Sequence, residues 1–124
     1  MKVGFIGLGI MGKPMALHVI KSGYETYIFD LNTNAVDELK ALGGNACSSN
    51  SEIAENCDVI ITMLPTSKHV TQVLFSEEGL ANNCKPGTIV IDMSSVSTED
   101  SREFAAKLKP FNIQFMDAPV SGGE

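Results

Sequence analysis

The chain has no uncharged apolar run of about 18 residues, so no segment reads as a membrane-spanning helix. No basic-then-apolar leader opens it. The first strand pattern begins at Lys2 or Val3, and the expected location is cytoplasmic. Cysteine is scarce and unpaired. Cys47, Cys57 and Cys84 are odd in number with no CxxC among them, which argues for three reduced thiols and against a disulfide framework or a zinc site. No metal is expected. Lys and Arg number 9 against 15 Asp and Glu, and the net charge of −6 argues against nucleic acid or an anionic membrane as partner. Low-complexity tracts and fixed-period repeats are missing too. What remains is 124 residues, 44% hydrophobic and 19% charged, the composition of one ordinary globular domain.

The most informative stretch is Val3-Gly4-Phe5-Ile6-Gly7-Leu8-Gly9-Ile10-Met11-Gly12. A short apolar run ends in GxGxxG, and a helical pattern follows. Gly7 permits a sharp turn out of a strand, Gly9 leaves backbone bare for a pyrophosphate, and Gly12 lets the new helix pack close to the strand. The first amides of a helix have no intrahelical acceptor and carry partial positive charge, so they suit phosphate oxygens. Asp30 ends the next apolar run, near the roughly 20-residue distance at which a ribose-binding carboxylate belongs. As a carboxylate it can accept from both ribose hydroxyls and would repel a 2′-phosphate. Leu31, Asn32, Thr33 and Asn34 include no Arg to receive one, so NAD is expected over NADP. Asp30 or Asn32 could also cap the helix that follows.

In chain order the pattern predicts strands at Lys2–Ile6, Glu25–Asp30, Asn45–Cys47, Asp58–Met63, Thr88–Asp92 and Ile113–Asp117. Helices are predicted at Ile10–Ser22, Asn34–Leu42, Ser49–Asn56, Lys68–Phe75 and Thr98–Leu108. Met11, Met15, Ala16, Val19 and Ile20 form the expected buried stripe of the first helix, and Val36, Leu39 and Leu42 that of the second. His18 reads as a packing or surface residue. Ser49 with Glu52, and Ser97 with Asp100, have the spacing of helix starts. Ser76–Gly87 reads as a polar loop. Strands alternating with helices give a doubly wound parallel α/β sheet of Rossmann type, with about six strands and helices on both faces. Ligands in such sheets lie beyond the C-terminal strand ends. The Leu64-Pro65-Thr66-Ser67 break is therefore either a cofactor wall or a plain turn. His69 either faces solvent or touches cofactor, and Ser94 and Ser95 either reach the cofactor or cap a turn.

Several stretches resemble the β-hydroxyacid dehydrogenase family, which includes 3-hydroxyisobutyrate dehydrogenase and tartronate semialdehyde reductase (2-hydroxy-3-oxopropionate reductase). Gly7-Leu8-Gly9-Ile10-Met11-Gly12-Lys13-Pro14-Met15-Ala16 is very like the family's cofactor motif, and Asp117-Ala118-Pro119-Val120-Ser121-Gly122-Gly123 looks like its substrate motif. Met63-Leu64-Pro65 and Ile91-Asp92-Met93-Ser94-Ser95 match between them, and the tartronate semialdehyde reductases look closest. The resemblance implies hydride transfer between NAD(P) and the hydroxyl-bearing carbon of a small 3-hydroxy acid. It implies cofactor contacts at Gly7, Leu8, Gly9, Ile10, Met11, Gly12, Asp30, Leu64, Pro65, His69 and Ser95, and substrate contacts at Ser121, Gly122 and Gly123. The family's catalytic Lys and helical second domain lie well past the substrate motif, which puts that Lys beyond Glu124, the last residue here. No Lys in residues 1–124 matches it, so no catalytic residue is expected within them. The expectation is thus the N-terminal cofactor-binding domain of an oxidoreductase, inactive alone, with apolar surface on its last strands, and homo-oligomeric when full length. The rival reading is a non-catalytic NAD-sensing module.

Overall fold

The computed structural model describes residues 1–94 and 96–118, with the backbone alone at Ile10. Its elements are β1 (Lys2–Ile6), α1 (Gly9–Lys21), β2 (Glu25–Phe29), α2 (Thr33–Ala41), β3 (Asn45–Ala46), α3 (Asn50–Asn56), β4 (Val59–Thr62), α4 (Ser67–Phe75), α5 (Leu80–Asn83), β5 (Ile89–Asp92), α6 (Thr98–Leu108), a 3₁₀ turn (Lys109–Phe111) and β6 (Gln114–Asp117). The strands form one sheet in the order β3-β2-β1-β4-β5-β6, every pair parallel. The order reverses between β1 and β4, and ligands of open α/β sheets lie at that crevice.

Four helices, α2, α3, α4 and α6, begin where the sequence offers a side-chain acceptor. Asn32 Oδ1 accepts from the amides of Asn34 and Ala35, Ser49 Oγ from Glu52 N, Thr66 Oγ1 from His69 N and Ser97 Oγ from Asp100 N. Each such cap is worth about 0.5–2 kcal/mol. The expected capping box at Ser49 is offset: the Glu52 carboxylate accepts from Ser48 N at 2.8 Å rather than from Ser49. α1 has no side-chain cap, and that bare start is the one facing the crevice.

Two apolar clusters lie on the two sides of the sheet. Val3, Phe5 and Ile28 meet Ala16, Val36 and Leu39 of α1 and α2. Ile6, Ile60 and Val90 meet Ile53, Val70, Leu74, Leu80 and Phe104 of α3 to α6. The period-two alternation of a strand sends Phe5 to one side and Ile6 to the other, so β1 is covered on both faces. Each large side chain fully buried here stabilises the fold by about 1.5–3 kcal/mol. Ile89 and Ile91 of β5 are only half-buried and Met116 of β6 is exposed, in line with the apolar surface expected of the last strands.

Three expectations are corrected. The segment 76–87 is not all loop, because α5 forms in it. Leu80 and Ala81 are buried, and the side-chain amides of Asn82 and Asn83 donate to the carbonyls of Ser76 and Gly79. Met11 does not belong to a buried stripe: it is 47% exposed, because the first turn of α1 stands at the crevice. Leu42 follows the last turn of α2 as its C-cap and is likewise exposed. His18 is on the surface, as expected.

Candidate functional site

A cavity of about 770 Å³ opens at the crevice between β1 and β4, within the size range of small-molecule sites. Gly7, Leu8, Gly9 and Met11 form one side of its lining and Asp30 another, with Leu64, Pro65 and His69 from the β4–α4 connection. These segments are far apart in sequence and meet only because β1 lies between β2 and β4.

The glycines differ in what they do. Gly7 has φ +75°, and a β-carbon there would lie 2.4 Å from the Met63 carbonyl oxygen. Its amide donates to Phe29 O at 3.0 Å, extending the β1–β2 ladder by one residue. Gly9 has φ +55°, and a β-carbon there would meet only Met63 Sδ at 3.9 Å. Gly9 lines the cavity, so its backbone is left bare there. Gly12 lies beneath the turn and off the cavity wall, and a β-carbon on it would make ordinary contacts from 3.5 Å. Close packing therefore does not demand glycine at position 12. Among the described residues no acceptor is bonded to the amides of Gly9 or Met11, whereas Gly12 N donates to Leu8 O at 2.6 Å. Two donors at the positive end of α1, both on residues that line the cavity, thus have no protein acceptor among the described residues.

Asp30 ties the two halves of the site together. Its Oδ2 accepts from Leu8 N at 2.6 Å and its Oδ1 from Asn32 N at 2.8 Å. The cap of α2 is Asn32, so Asp30 does not cap that helix. A carboxylate oxygen has two lone pairs, and each oxygen of Asp30 keeps one for a diol. The Leu8 amide is taken by this carboxylate, and Leu8 itself lines the cavity.

The far wall is braced from inside. Asp92, fully buried at the end of β5, accepts at Oδ1 from Thr62 Oγ1 at 2.7 Å and from Ser94 N at 3.2 Å. Its Oδ2 has no partner among the described residues. Ser94 Oγ in turn accepts from Leu64 N at 2.8 Å. Of the two roles open to Ser94, the structure selects the structural one: it is buried and holds the loop in place. Ser95, Ser121, Gly122, Gly123 and Glu124 lie outside the described residues, as does the side chain of Ile10. The expected cofactor contact at Ser95, the expected substrate contacts at 121–123 and the expected place of a catalytic Lys past Glu124 therefore have no counterpart in the described geometry.

Several lining residues carry no signal in the sequence reading. Leu31, 90% exposed, stands at the mouth. Asn50, Gln72, Val73 and Ser76 line the cavity as well. Gln72 and Val73 lie three and four residues past His69 on α4 and Ser76 is that helix's C-cap, so helical spacing counted from position 69 would have found them. Asn50 comes from α3, and nothing local marks it. Among the described lining residues no Lys or Arg appears and Asp30 is the one carboxylate. With no Lys or Arg at hand, the partial positive charge offered to an anion here is that of the α1 start.

The donor set fits a dinucleotide. Free amides at a helix start suit a diphosphate, a carboxylate beside them suits a ribose, and apolar walls suit a flat base. No group of three or more metal-ligating side chains occurs among the described residues, and no helix there is long and apolar enough to cross a membrane.

Comparison with known proteins agrees with this geometry. The chain is 43% identical over 122 residues to 2-(hydroxymethyl)glutarate dehydrogenase of Eubacterium barkeri, covering 98% of this chain and 40% of that protein. It is 39% identical to 2-hydroxy-3-oxopropionate reductase of Escherichia coli, covering all of this chain and 42% of the relative. The crystal structure of 3-hydroxyisobutyrate dehydrogenase from Salmonella typhimurium superposes with a TM-score of 0.92 at 39% identity, covering 99% of this chain and 43% of that one. The chain thus spans less than half the length of these relatives. Residues 2–124 match the sequence model of the NAD binding domain of 6-phosphogluconate dehydrogenase. With a Rossmann-type sheet, a glycine turn and an acidic partner all in register, the chain belongs to that family of NAD(P)-binding domains.

Proposed function

We propose that this chain is the NAD-binding domain, residues 1–124, of an oxidoreductase that moves hydride between NAD and the hydroxyl-bearing carbon of a small 3-hydroxy acid. The substrate is of 3-hydroxyisobutyrate or tartronate semialdehyde/glycerate type. The observation that carries the proposal is the meeting of the Gly9 and Met11 amides with the Asp30 carboxylate at one cavity. The amides of the α1 start receive the diphosphate, and the remaining lone pairs of Asp30 receive the adenosine ribose. Leu64, Pro65 and His69 close the opposite side. Ile10, Gly12 and Ser95 as cofactor contacts, and Ser121, Gly122 and Gly123 as substrate contacts, rest on motif resemblance. NAD, when bound, supplies the hydride acceptor; this chain supplies binding and orientation.

NAD is favoured over NADP because the negative charge of Asp30 faces the position of a 2′-phosphate. Leu31 to Asn34 hold no cation, and Lys13 on α1 is already paired with Glu38. The substrate class is taken from the relatives' names. Their identities, 43% and 39%, do not single out one hydroxy acid. The group that exchanges a proton with the substrate is assigned to the longer protein, beyond Glu124, so the chain alone binds cofactor without turnover. The longer protein forms a homo-oligomer, and the reduced thiols suit the cytoplasm. Calorimetric titration of NAD and NADP tests the reading: NAD binds and NADP binds at least about tenfold more weakly. No heat with either would end it. A turnover assay of the longer protein with short 3-hydroxy acids separates an enzyme from an NAD sensor.

A further inference from the structure

His69 is held in an unusual way for a residue on a cavity wall. Thr66, the N-cap of α4, accepts the His69 backbone N–H at Oγ1 over 3.3 Å. The same oxygen lies 2.7 Å from Nδ1 of the His69 ring. A hydroxyl has one hydrogen and two lone pairs. One lone pair holds the backbone amide, and among the described residues the hydroxyl has no hydrogen-bond partner other than these two His69 groups. Two arrangements satisfy the ring: Nδ1–H donating to the second lone pair, which leaves the hydroxyl hydrogen to water, or Thr66 donating that hydrogen to Nδ1, which uses every hydrogen-bonding group of the hydroxyl within the protein. A neutral imidazole that accepts at Nδ1 carries its own hydrogen at Nε2.

We propose that Thr66 is a positioning residue that fixes His69 as the Nε2–H tautomer, and so makes His69 a hydrogen-bond donor to the adenine base. This rests on the NAD reading above. With Asp30 as the ribose acceptor, the base attached to that ribose would have Leu31, Leu64 and Val73 as its apolar surface, and His69 lines the same cavity. The ring nitrogens of adenine are acceptors, and with Nδ1 tied back to Thr66 the nitrogen left for them is Nε2. The cap thereby does two things with one hydroxyl: it starts the helix and sets which way a side-chain hydrogen bond runs.

Two measurements test this. A long-range ¹H–¹⁵N correlation spectrum of the ligand-free protein, recorded in alkaline buffer, shows hydrogen at Nε2 in the wild type and in Thr66→Ser. Thr66→Val gives a mixture of tautomers. Hydrogen at Nδ1 in the wild type would overturn the proposal whatever the cofactor does. The second is a double-mutant cycle in NAD affinity, which separates positioning from helix capping. Thr66→Val weakens NAD about three- to tenfold, as expected for one hydrogen bond, and Thr66→Ser restores it. In a His69→Phe background, which keeps the backbone cap bond, Thr66→Val changes affinity less than about twofold. An equal loss in both backgrounds reduces Thr66 to a cap and ends the inference. If wild-type protein shows the Nε2–H tautomer and no NAD binding, the cofactor reading has failed and the adenine role falls with it, leaving the Thr66–His69 bond intact.

Discussion

Replacing Gly7, Gly9 and Gly12 by alanine, one at a time, separates folding from binding within a single motif. At Gly7 the new side chain suffers twice. A left-handed φ costs a non-glycine residue about 1–2 kcal/mol. A β-carbon 2.4 Å from the Met63 carbonyl and 2.7 Å from Leu64 Cδ2 forces the backbone of the cavity wall to move, an overpacking cost of about 1–3 kcal/mol. Together these remove about 2–5 kcal/mol, a large share of a typical domain stability of about 5–15 kcal/mol. At Gly9 the backbone term of about 1–2 kcal/mol stands alone, because the nearest atom is 3.9 Å away. The methyl group is then added on a cavity-lining residue, and NAD affinity falls about tenfold or more. At Gly12 no left-handed angle is present and contacts start at 3.5 Å. Alanine in a helix is favoured by about 0.5–1 kcal/mol, so Gly12→Ala is neutral or slightly stabilising. Urea unfolding followed by circular dichroism gives the stabilities, and NAD calorimetry gives the affinities. Two results would refute the reasoning: Gly9→Ala binding NAD like the wild type, or Gly9→Ala unfolding as readily as Gly7→Ala.

Three other perturbations have definite outcomes. Asp30→Ala weakens NAD and narrows its advantage over NADP in parallel titrations. It also frees the Leu8 amide, so stability drops by about 1.5–3 kcal/mol in urea unfolding for the loss of a charge-assisted bond. Ser94→Ala removes the acceptor of the part-buried Leu64 amide and costs about 1–3 kcal/mol. Hydrogen exchange at Leu64 accelerates in the variant, and unchanged protection there would discount the brace. Burial pushes the thiols of Cys57 and Cys47 up to about 12 and about 11 from 9.0. The folded state keeps them protonated while the unfolded chain ionises first. Their contribution is therefore complete below about pH 9 and lost as pH rises toward 11 and 12. The urea midpoint falls across that range, and Cys57→Ala makes the fall shallower.

The sequence shows what is written locally and hides what is made by distant segments. α6 begins and ends where Ser97 and the run up to Pro110 place it, because a cap and a helix breaker are local signals. β1 is equally plain, since five residues end at a glycine turn. The candidate site is visible in the sequence as a list, with Gly7, Gly9, Met11, Asp30, Leu64, Pro65 and His69 all on one cavity. How these residues are wired together is not visible there. The bond from Leu8 to Asp30 and the chain Thr62–Asp92–Ser94–Leu64 join segments 22 and 30 residues apart, and no periodicity encodes them. Met11 escapes the pattern because helical spacing says which residues share a face, not whether that face lies over the sheet or at its edge. α5 escapes it because Leu80 and Ala81 make too short an apolar signal until α3 and α4 supply the surface that buries them.

The position of β1 in the middle of the sheet has a consequence during synthesis. It hydrogen-bonds to β2 on one side and β4 on the other, yet it leaves the ribosome before either. At about 5–20 residues per second, several seconds pass before Val59–Thr62 emerges to close its second edge. Until then the nascent polypeptide displays Phe5 and Ile6 on a half-zipped ribbon, the state in which chaperones have the most to grasp and a stalled or clipped product the most to lose.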